Sequence, residues 1–142
     1  MNISARNTFP ATVSHITIGP VSAEVALTTS GGDRLVATIT QSSATSLGLS
    51  IGTPIVAIVK ASSVMVMTDS PSMKLSARNC LAGVIKRVTQ GPVSAEVIIA
   101  LPGGTEVFAS ITRDAVVELG LREGVTATAV IKSSSVILGV PA

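Results

Sequence analysis

The feature that most constrains this chain is an internal repeat, because the second half of the sequence follows the first at a constant offset of 72 residues. Residues 19–25, Gly-Pro-Val-Ser-Ala-Glu-Val, return unchanged as residues 91–97. Residues 1–70 align with residues 73–142 without a gap, and 27 of the 70 aligned pairs are identical. The chain is therefore a tandem duplication of one module. We place the first module at residues 1–69 and the second at residues 73–142.

Each module contains five short segments whose apolar pattern is typical of β-strands. In the first module these segments are residues 12–18, 23–27, 35–39, 55–59 and 63–66. Residues 12–18 alternate apolar and polar side chains, as a half-buried strand does, whereas residues 55–59 are apolar on both faces. Gly31-Gly32 predicts a hairpin turn, and residues 41–47 predict one or two helical turns that end at Gly48.

These elements predict an all-β fold. We expect a tandem pair of small five-stranded barrels of the oligonucleotide/oligosaccharide-binding (OB) type, each with a short helix. A small two-sheet sandwich is the alternative. A module of about 70 residues with so few large side chains buries a modest core, so association with further copies is expected.

Composition excludes several classes of function. Aromatic residues make up 1% of the chain, and Phe9 and Phe108 are the only two. The lack of aromatic residues disfavours a platform for stacking single-stranded nucleic acid, and a net charge of +2 is too small for nonspecific DNA binding, so no nucleic-acid partner is expected. A single cysteine, Cys80, and a single histidine, His15, leave no internal disulfide and no multi-histidine metal centre.

The N-terminal residues lack the apolar core of a signal peptide, and no run of 18 apolar residues exists. We therefore expect a cytoplasmic protein with no membrane partner. The sequence contains no Ser-His-Asp or Cys-His set and no phosphate-binding P-loop, so we expect a binding protein and no enzyme.

The candidate functional residues are the polar side chains that both modules keep. They are Ser4, Arg6, Asn7, Glu24, Thr40, Lys60, Ser62 and Ser63, with their counterparts 72 residues later. One arginine, one lysine and several hydroxyls, without metal ligands, suit a dianionic oxyanion. The arginine supplies forked hydrogen bonds and the lysine a compact charge, while each hydroxyl donates one further bond.

Structural roles remain open for the same residues. The arginines and lysines could be surface side chains that lie over apolar neighbours. Glu24 and Glu96 could neutralise the cations in salt bridges. Residues 19–25 and their copy are expected to form a bend between two strands, although their backbone amides could instead line a second anion site.

Five motifs carry a resemblance to a known family. They are Ser-Ala-Arg-Asn at residues 4–7, Ser-Ala-Glu-Val at 22–25, Ala-Thr-Ile-Thr at 37–40, Leu-Gly-Leu at 47–49 and Val-Lys-Ala-Ser at 59–62. Together they resemble the molybdenum-pterin-binding protein (Mop) domain, and the duplicated form resembles the two-module (di-Mop) members of the molbindin family. The resemblance covers nearly the whole chain, twice. It implies OB-type barrels assembled as a homotrimer that binds bare molybdate or tungstate at subunit interfaces, without pterin or another cofactor.

The resemblance also implies two types of site. The interface type would use Ser4, Arg6, Lys60, Ala61 and Ser62, with Thr40 and Ser43 from the facing module. The equivalent set would be Ser76, Arg78, Lys132, Ser133 and Ser134, with Thr112 facing. Because Ser43 aligns with Ala115, the two sites would differ. An axis type would use backbone amides around Val21, Ser22, Ala23, Val93, Ser94 and Ala95.

The function implied is storage or buffering of molybdate for molybdenum homeostasis. Two alternatives belong to other classes. One is a molybdate-sensing module that acts on a protein partner, and the other is an OB-type nucleic-acid-binding module.

Overall fold

A computed structural model describes residues 1–68 and 73–142, so the predicted junction between the modules lies outside the described residues. The first half contains β1 (Asn7–Ile18), β2 (Ser22–Thr29), β3 (Arg34–Thr40), α1 (Gln41–Ser46), β4 (Pro54–Val59), a 3-10 helix (Ala61–Ser63) and β5 (Val64–Met67). The second half repeats this order with β6 (Asn79–Gln90), β7 (Ser94–Ala100), β8 (Glu106–Thr112), α2 (Arg113–Leu119), β9 (Thr126–Ile131), a 3-10 helix (Ser133–Ser135) and β10 (Ile137–Gly139). The five predicted strands and the short helix of each module are confirmed.

The strands form two curled, antiparallel, five-stranded sheets, and the last strand of each half belongs to the other half's sheet. One sheet has the order β10-β4-β1-β2-β3 and the other β5-β9-β6-β7-β8. In the first sheet Ile137 lies opposite Ile58, and in the second Val64 lies opposite Ile131. Each sheet therefore takes four strands from one repeat and one from the other, an exchange that the sequence analysis did not predict.

Local sequence explains why the exchange was missed. The segments before β5 and β10 are nearly identical, Lys-Ala-Ser-Ser-Val and Lys-Ser-Ser-Ser-Val. Both strands are short and apolar, so either would suit the edge of either sheet. Which sheet each strand joins depends on the path of the chain after its 3-10 helix, and the two nearly identical segments do not distinguish one path from the other.

The long first strand of each half begins earlier than predicted, at Asn7 and Asn79, and is bent by an irregularity in its pairing. In β1 the register shifts between Val13 and His15, and in β6 between Ile85 and Arg87. A bulge of this kind bends a strand and increases its twist, which helps so small a sheet to curl.

The core is built from aliphatic side chains and is continuous across the two halves. Leu27 and Leu35 of the first half and Ile99 and Val107 of the second are at most 1% exposed. Since one apolar cluster contains side chains from both repeats, each half contributes to burying the other's apolar surface.

Two buried asparagines fasten the halves together in a symmetric way. Asn7 donates to the carbonyl oxygen of Phe108 and accepts from its N–H, at 2.8 and 2.7 Å. Asn79 makes the same two bonds to Val36, again at 2.8 and 2.7 Å. Both asparagines are 1% exposed. Their repetition therefore has a structural cause, because each side chain completes the hydrogen bonding of a strand in the other half.

Among the described residues, no helix has the length and apolar character needed to cross a bilayer.

Candidate functional site

A cavity of about 480 Å³ lies beside the 3-10 helix Ala61–Ser63. The interface-type residues that line it are Ser4, Arg6, Lys60, Ala61 and Ser62. The second half contributes Glu96 and Ser110 to the same wall. The structure thus brings all five of these predicted residues to one place and adds two polar side chains that the prediction did not assign to the site.

The guanidinium of Arg6 is held between a carboxylate and an aromatic ring. It donates to both oxygens of Glu96, at 2.8 and 3.4 Å. It also lies 4.7 Å from the centre of the Phe108 ring, within the range of a cation–π interaction. Because Asn7 binds the backbone of Phe108, the repeated Arg-Asn pair positions both the cation and the ring beneath it.

Arg78 makes the equivalent pair with Glu24, at 2.5 and 2.9 Å. The hydrogen bonds from Arg78 are the main cause of a lowered pKa of the Glu24 carboxyl. Desolvation opposes this shift, and the positive charges of Arg78 and Arg34 add to it. The same pair raises the pKa of Arg78. The structure therefore confirms the salt bridges that the sequence analysis kept as an alternative for Glu24 and Glu96.

The two lysines differ from the arginines in having no carboxylate partner within the described ranges. Lys60 and Lys132 are exposed and immediately precede the two 3-10 helices, each with an extended backbone. Lys60 therefore places on the cavity wall a positive charge that forms no salt bridge with a described carboxylate.

Residues of the equivalent set in the second half line two separate cavities. Ser76 lines a cavity of about 370 Å³ with Met65 and Leu75, whereas Arg78 lines another of about 310 Å³ with Arg34. The hydroxyl of Ser133 lies 2.8 Å from that of Thr38.

The equivalent hydroxyl bond cannot form at the cavity beside Arg6. The residues that correspond to Ser133 and Thr38 are Ala61 of the first half and Ser110 of the second, and the alanine has no hydroxyl. Two sites that differ in this way would not bind an anion equally, as the Ser43–Ala115 difference also predicts.

Thr40 and Ser43 are absent from the residues that line the cavity at Arg6, and Thr112 is absent from those that line the cavities at Ser76 and Arg78. Thr40 begins α1 by accepting a hydrogen bond from the N–H of Ser43, and Thr112 begins α2 by accepting one from Ala115. The Thr40 hydroxyl also donates to the Ser43 hydroxyl at 2.7 Å. These threonines have a helix-capping role within the chain, and a contribution of Thr40 to the site at Arg6, or of Thr112 to the site at Arg78, would have to come from another copy.

The residues predicted for an axis-type site form two equivalent tight bends. The N–H of Gly19 donates to the carbonyl of Ser22, and that of Gly91 donates to Ser94. Val21 and Val93 stand at the outside of the bends and are 80% and 78% exposed. The bend predicted for residues 19–25 is therefore confirmed, whereas the anion-binding role of these residues stays a prediction.

Two polar residues of the cavity wall, Glu96 and Ser110, were not assigned to the site from the sequence. Glu96 was recognisable as a repeated acidic residue, but nothing in its spacing predicted that it reaches an arginine of the other half. Ser110 aligns with Thr38 and shares only its hydroxyl, so it gave no separate signal. Both residues are recognised as part of the site only from the structure, in which β7 and β8 contribute to the same cavity wall as the first 3-10 helix.

The side chains at this wall favour an anion over a metal cation. Within residues 1–68 and 73–142, no three His, Cys, Asp or Glu side chains group closely enough to hold a metal ion. Arginine, lysine and serine instead offer hydrogen-bond donors and positive charge.

Comparison with known proteins identifies the class of the chain. The model of the TOBE domain family matches residues 3–66 and again residues 75–138. The chain belongs to the TOBE domain family and holds two of its domains, one in each repeat.

One solved structure is similar over essentially the whole chain. It is the cytoplasmic molybdate-binding protein ModG with molybdate bound, at 54% identity and a TM-score of 0.96, covering 99% of this chain and 100% of that one. The TOBE domains of this chain are thus arranged as in a two-domain molybdate-binding protein.

Curated relatives agree with this assignment. The molybdenum transport protein ModE of Herbaspirillum seropedicae is 44% identical over 140 residues, covering 99% of this chain and 52% of ModE. The molybdenum-pterin-binding protein MopA of Rhodobacter capsulatus is 43% identical over 141 residues, covering 99% of this chain and 53% of MopA. The chain therefore spans about half the length of these relatives.

Proposed function

We propose that this chain binds molybdate, and also tungstate, as the bare oxyanion, and that it stores or buffers the anion inside the cell for molybdenum homeostasis. The observation that carries this proposal is the grouping of Ser4, Arg6, Lys60, Ala61 and Ser62 around one cavity. The similarity to molybdate-bound ModG supports the identity of the anion.

The chemistry of the cavity wall fits a tetrahedral dianion. Arg6 offers two parallel N–H donors, and Lys60 adds a compact charge. The hydroxyls of Ser4 and Ser62 supply further donors to the remaining oxygens. Binding of this kind needs no covalent step and no cofactor, which is why a binding protein is proposed rather than an enzyme.

Selection against other oxyanions would follow from size and protonation. Sulfate has the same charge and shape as molybdate but is smaller, so rigid strands that fix the spacing of the donors would hold it less well. Phosphate carries a proton near neutral pH, and a site composed of donors leaves that proton without an acceptor.

The sites are proposed to be completed between copies of the chain, in a homotrimer. The cavity at Arg6 has a volume of about 480 Å³, far larger than one small oxyanion, which occupies a space comparable to a few water molecules of about 30 Å³ each. A facing copy would narrow this space and could supply Thr40 and Ser43. Exposed apolar residues support association, since Val21, Ile51 and Val117 are 80%, 68% and 66% exposed.

A second type of anion site is proposed at the two bends around Val21 to Ala23 and Val93 to Ala95. Ser22 and Ser94 are exposed there, and the bends recur with identical sequence in both halves. A copy of the chain packed against these bends would bring several backbone N–H groups to one point, which is a favourable arrangement for an anion.

Equilibrium dialysis with molybdate in an excess of sulfate tests the proposal, on protein whose oligomeric state is measured by light scattering. Binding of more than one molybdate per chain in a trimer, with tungstate as a competitor and sulfate without effect, is the expected result. Equal displacement by sulfate, or no binding, would mean that the repeated arginines and lysines have structural roles alone.

A further inference from the structure

We propose that Glu24 and Glu96 set the affinity of the two arginine sites by competing with the oxyanion for the guanidinium groups. The inference rests on the proposed function, because it concerns how the same sites take up their anion. Neither glutamate belongs to the set of oxyanion-binding residues that the sequence predicted.

The first argument is that carboxylate and oxyanion would use the same donors. Arg6 directs both of its terminal nitrogens at Glu96, and Arg78 directs both of its own at Glu24. This forked arrangement is the one in which arginine binds a carboxylate or a tetrahedral oxyanion. An oxyanion that binds the fork in the same way must therefore take the place of the carboxylate.

The second argument is the balance of charge. Arg6 and Lys60 bring two positive charges to the cavity, and Glu96 brings one negative charge. A dianion together with all three groups leaves one excess negative charge, whereas a dianion with the arginine and lysine alone is neutral. Repulsion between the dianion and a carboxylate in contact with the same arginine opposes binding.

The third argument is that the carboxylate can leave without a large cost. The side chains of Arg6 and Glu96 are 52% and 29% exposed, and those of Arg78 and Glu24 are 47% and 44% exposed. Exposed pairs of this kind contribute little stability, and a carboxylate released from one returns to water. Glu96 lies in the middle of β7, paired with Thr89 and Ser110, so its release needs only rotation of the side chain.

The test compares glutamate with glutamine, which keeps the shape and an oxygen acceptor for the arginine but removes the charge. Molybdate binding to the full chain is measured by isothermal titration calorimetry at fixed ionic strength for the parent chain, Glu96→Gln, Glu24→Gln and the double variant. Glu123→Gln is the control, because it removes an exposed carboxylate that lines no wall of the cavity at Arg6. Thermal melting of each variant establishes that it is folded.

We expect each single glutamine variant to bind molybdate roughly fivefold more tightly at its own site, as loss of a competing exposed ion pair would produce. The Glu123→Gln control is expected to bind like the parent chain. If the parent chain binds molybdate and the folded double variant binds it equally or more weakly, the competition is overturned, and the glutamates position the arginines instead. If the parent chain binds no molybdate, the proposed function itself fails, so the two failures are distinguishable.

Discussion

Asp33 and Thr105 occupy equivalent positions of the two repeats, and the Thr105 hydroxyl donates a hydrogen bond to the Asp33 carboxylate. The same carboxylate accepts a second bond from Thr29 at 2.6 Å. The hairpin turn of the first half therefore lies against the hairpin turn of the second. Gly31 and Gly103 also approach each other closely, since a Cβ atom added at Gly103 would meet the backbone of Gly31.

The first prediction concerns that contact. A Cβ atom at Gly103 would overlap the carbonyl oxygen of Gly31, and backbone on both sides would have to shift. Gly103→Ala should therefore lower the free energy of unfolding by about 1–3 kcal/mol, measured by urea denaturation. Gly139→Ala is a matched control, because the nearest atom to its added Cβ lies 3.9 Å away. Equal stability of the two variants would show that the turns separate easily.

The second prediction concerns the buried asparagines. Asn79→Ala removes the donor and acceptor that satisfy the backbone of Val36, so two buried polar groups lose their partners. We expect a loss of about 2–4 kcal/mol in the free energy of unfolding. Asn2→Ala, at an exposed position, should change it by less than about 0.5 kcal/mol. A small effect at Asn79 would mean that water replaces the amide.

The third prediction concerns the arginines in the proposed sites. Replacing Arg6 and Arg78 together by alanine removes both forked donors, and molybdate binding at these sites should weaken by more than about tenfold. Equilibrium dialysis measures the loss, with Arg122→Ala, an exposed arginine outside the cavity at Arg6, as the control. Undiminished binding by a folded double variant would count against the assignment of the sites.

The fourth prediction concerns pH. The pKa of Glu24 is lowered from 4.5 in the folded chain, chiefly by its hydrogen bonds with Arg78. A carboxyl with a lowered folded pKa stabilises the fold above its unfolded pKa, and this contribution is lost as the pH falls through the lowered value. The stability difference between the parent chain and Glu24→Gln should therefore be constant near neutrality and shrink below about pH 4.5.

Urea denaturation of both proteins between pH 7 and pH 3 measures this difference, and repetition in high salt provides a control. Salt screens an exposed ion pair, so the difference at neutral pH should also decrease there. A stability difference that stays the same across the whole pH range would show that Arg78 does not stabilise the ionised form.

Local sequence was sufficient to predict most of the secondary structure. The alternation in β1, the glycine turn at Gly31-Gly32 and the capping of α1 by Thr40 all depend on residues close together in the chain. The exchange of β5 and β10 could not be predicted, because the two strands and the segments before them are nearly the same. Which sheet each of these strands joins depends on contacts between residues far apart in the chain.

The candidate site was also predicted only in part from the sequence. Ser4, Arg6, Lys60 and Ser62 were found because they recur at the offset of 72 residues, and the structure places them around one cavity. Repetition alone could not separate residues that fasten the halves from residues that contact a ligand. Asn7 is repeated at the same offset as Arg6, yet its side chain hydrogen-bonds to the backbone of Phe108 and is not available to a ligand.

Because β5 and β10 are exchanged, the two repeats are not independently folded domains joined by a linker. Neither repeat, expressed alone, would possess the edge strand that completes its own sheet. A single repeat would therefore need the corresponding strand of a second molecule. The tandem duplication thus places in one polypeptide two modules that exchange their last strands with each other. We expect the two repeats to melt in a single cooperative transition, and a chain cut between them to remain a complex of its two fragments.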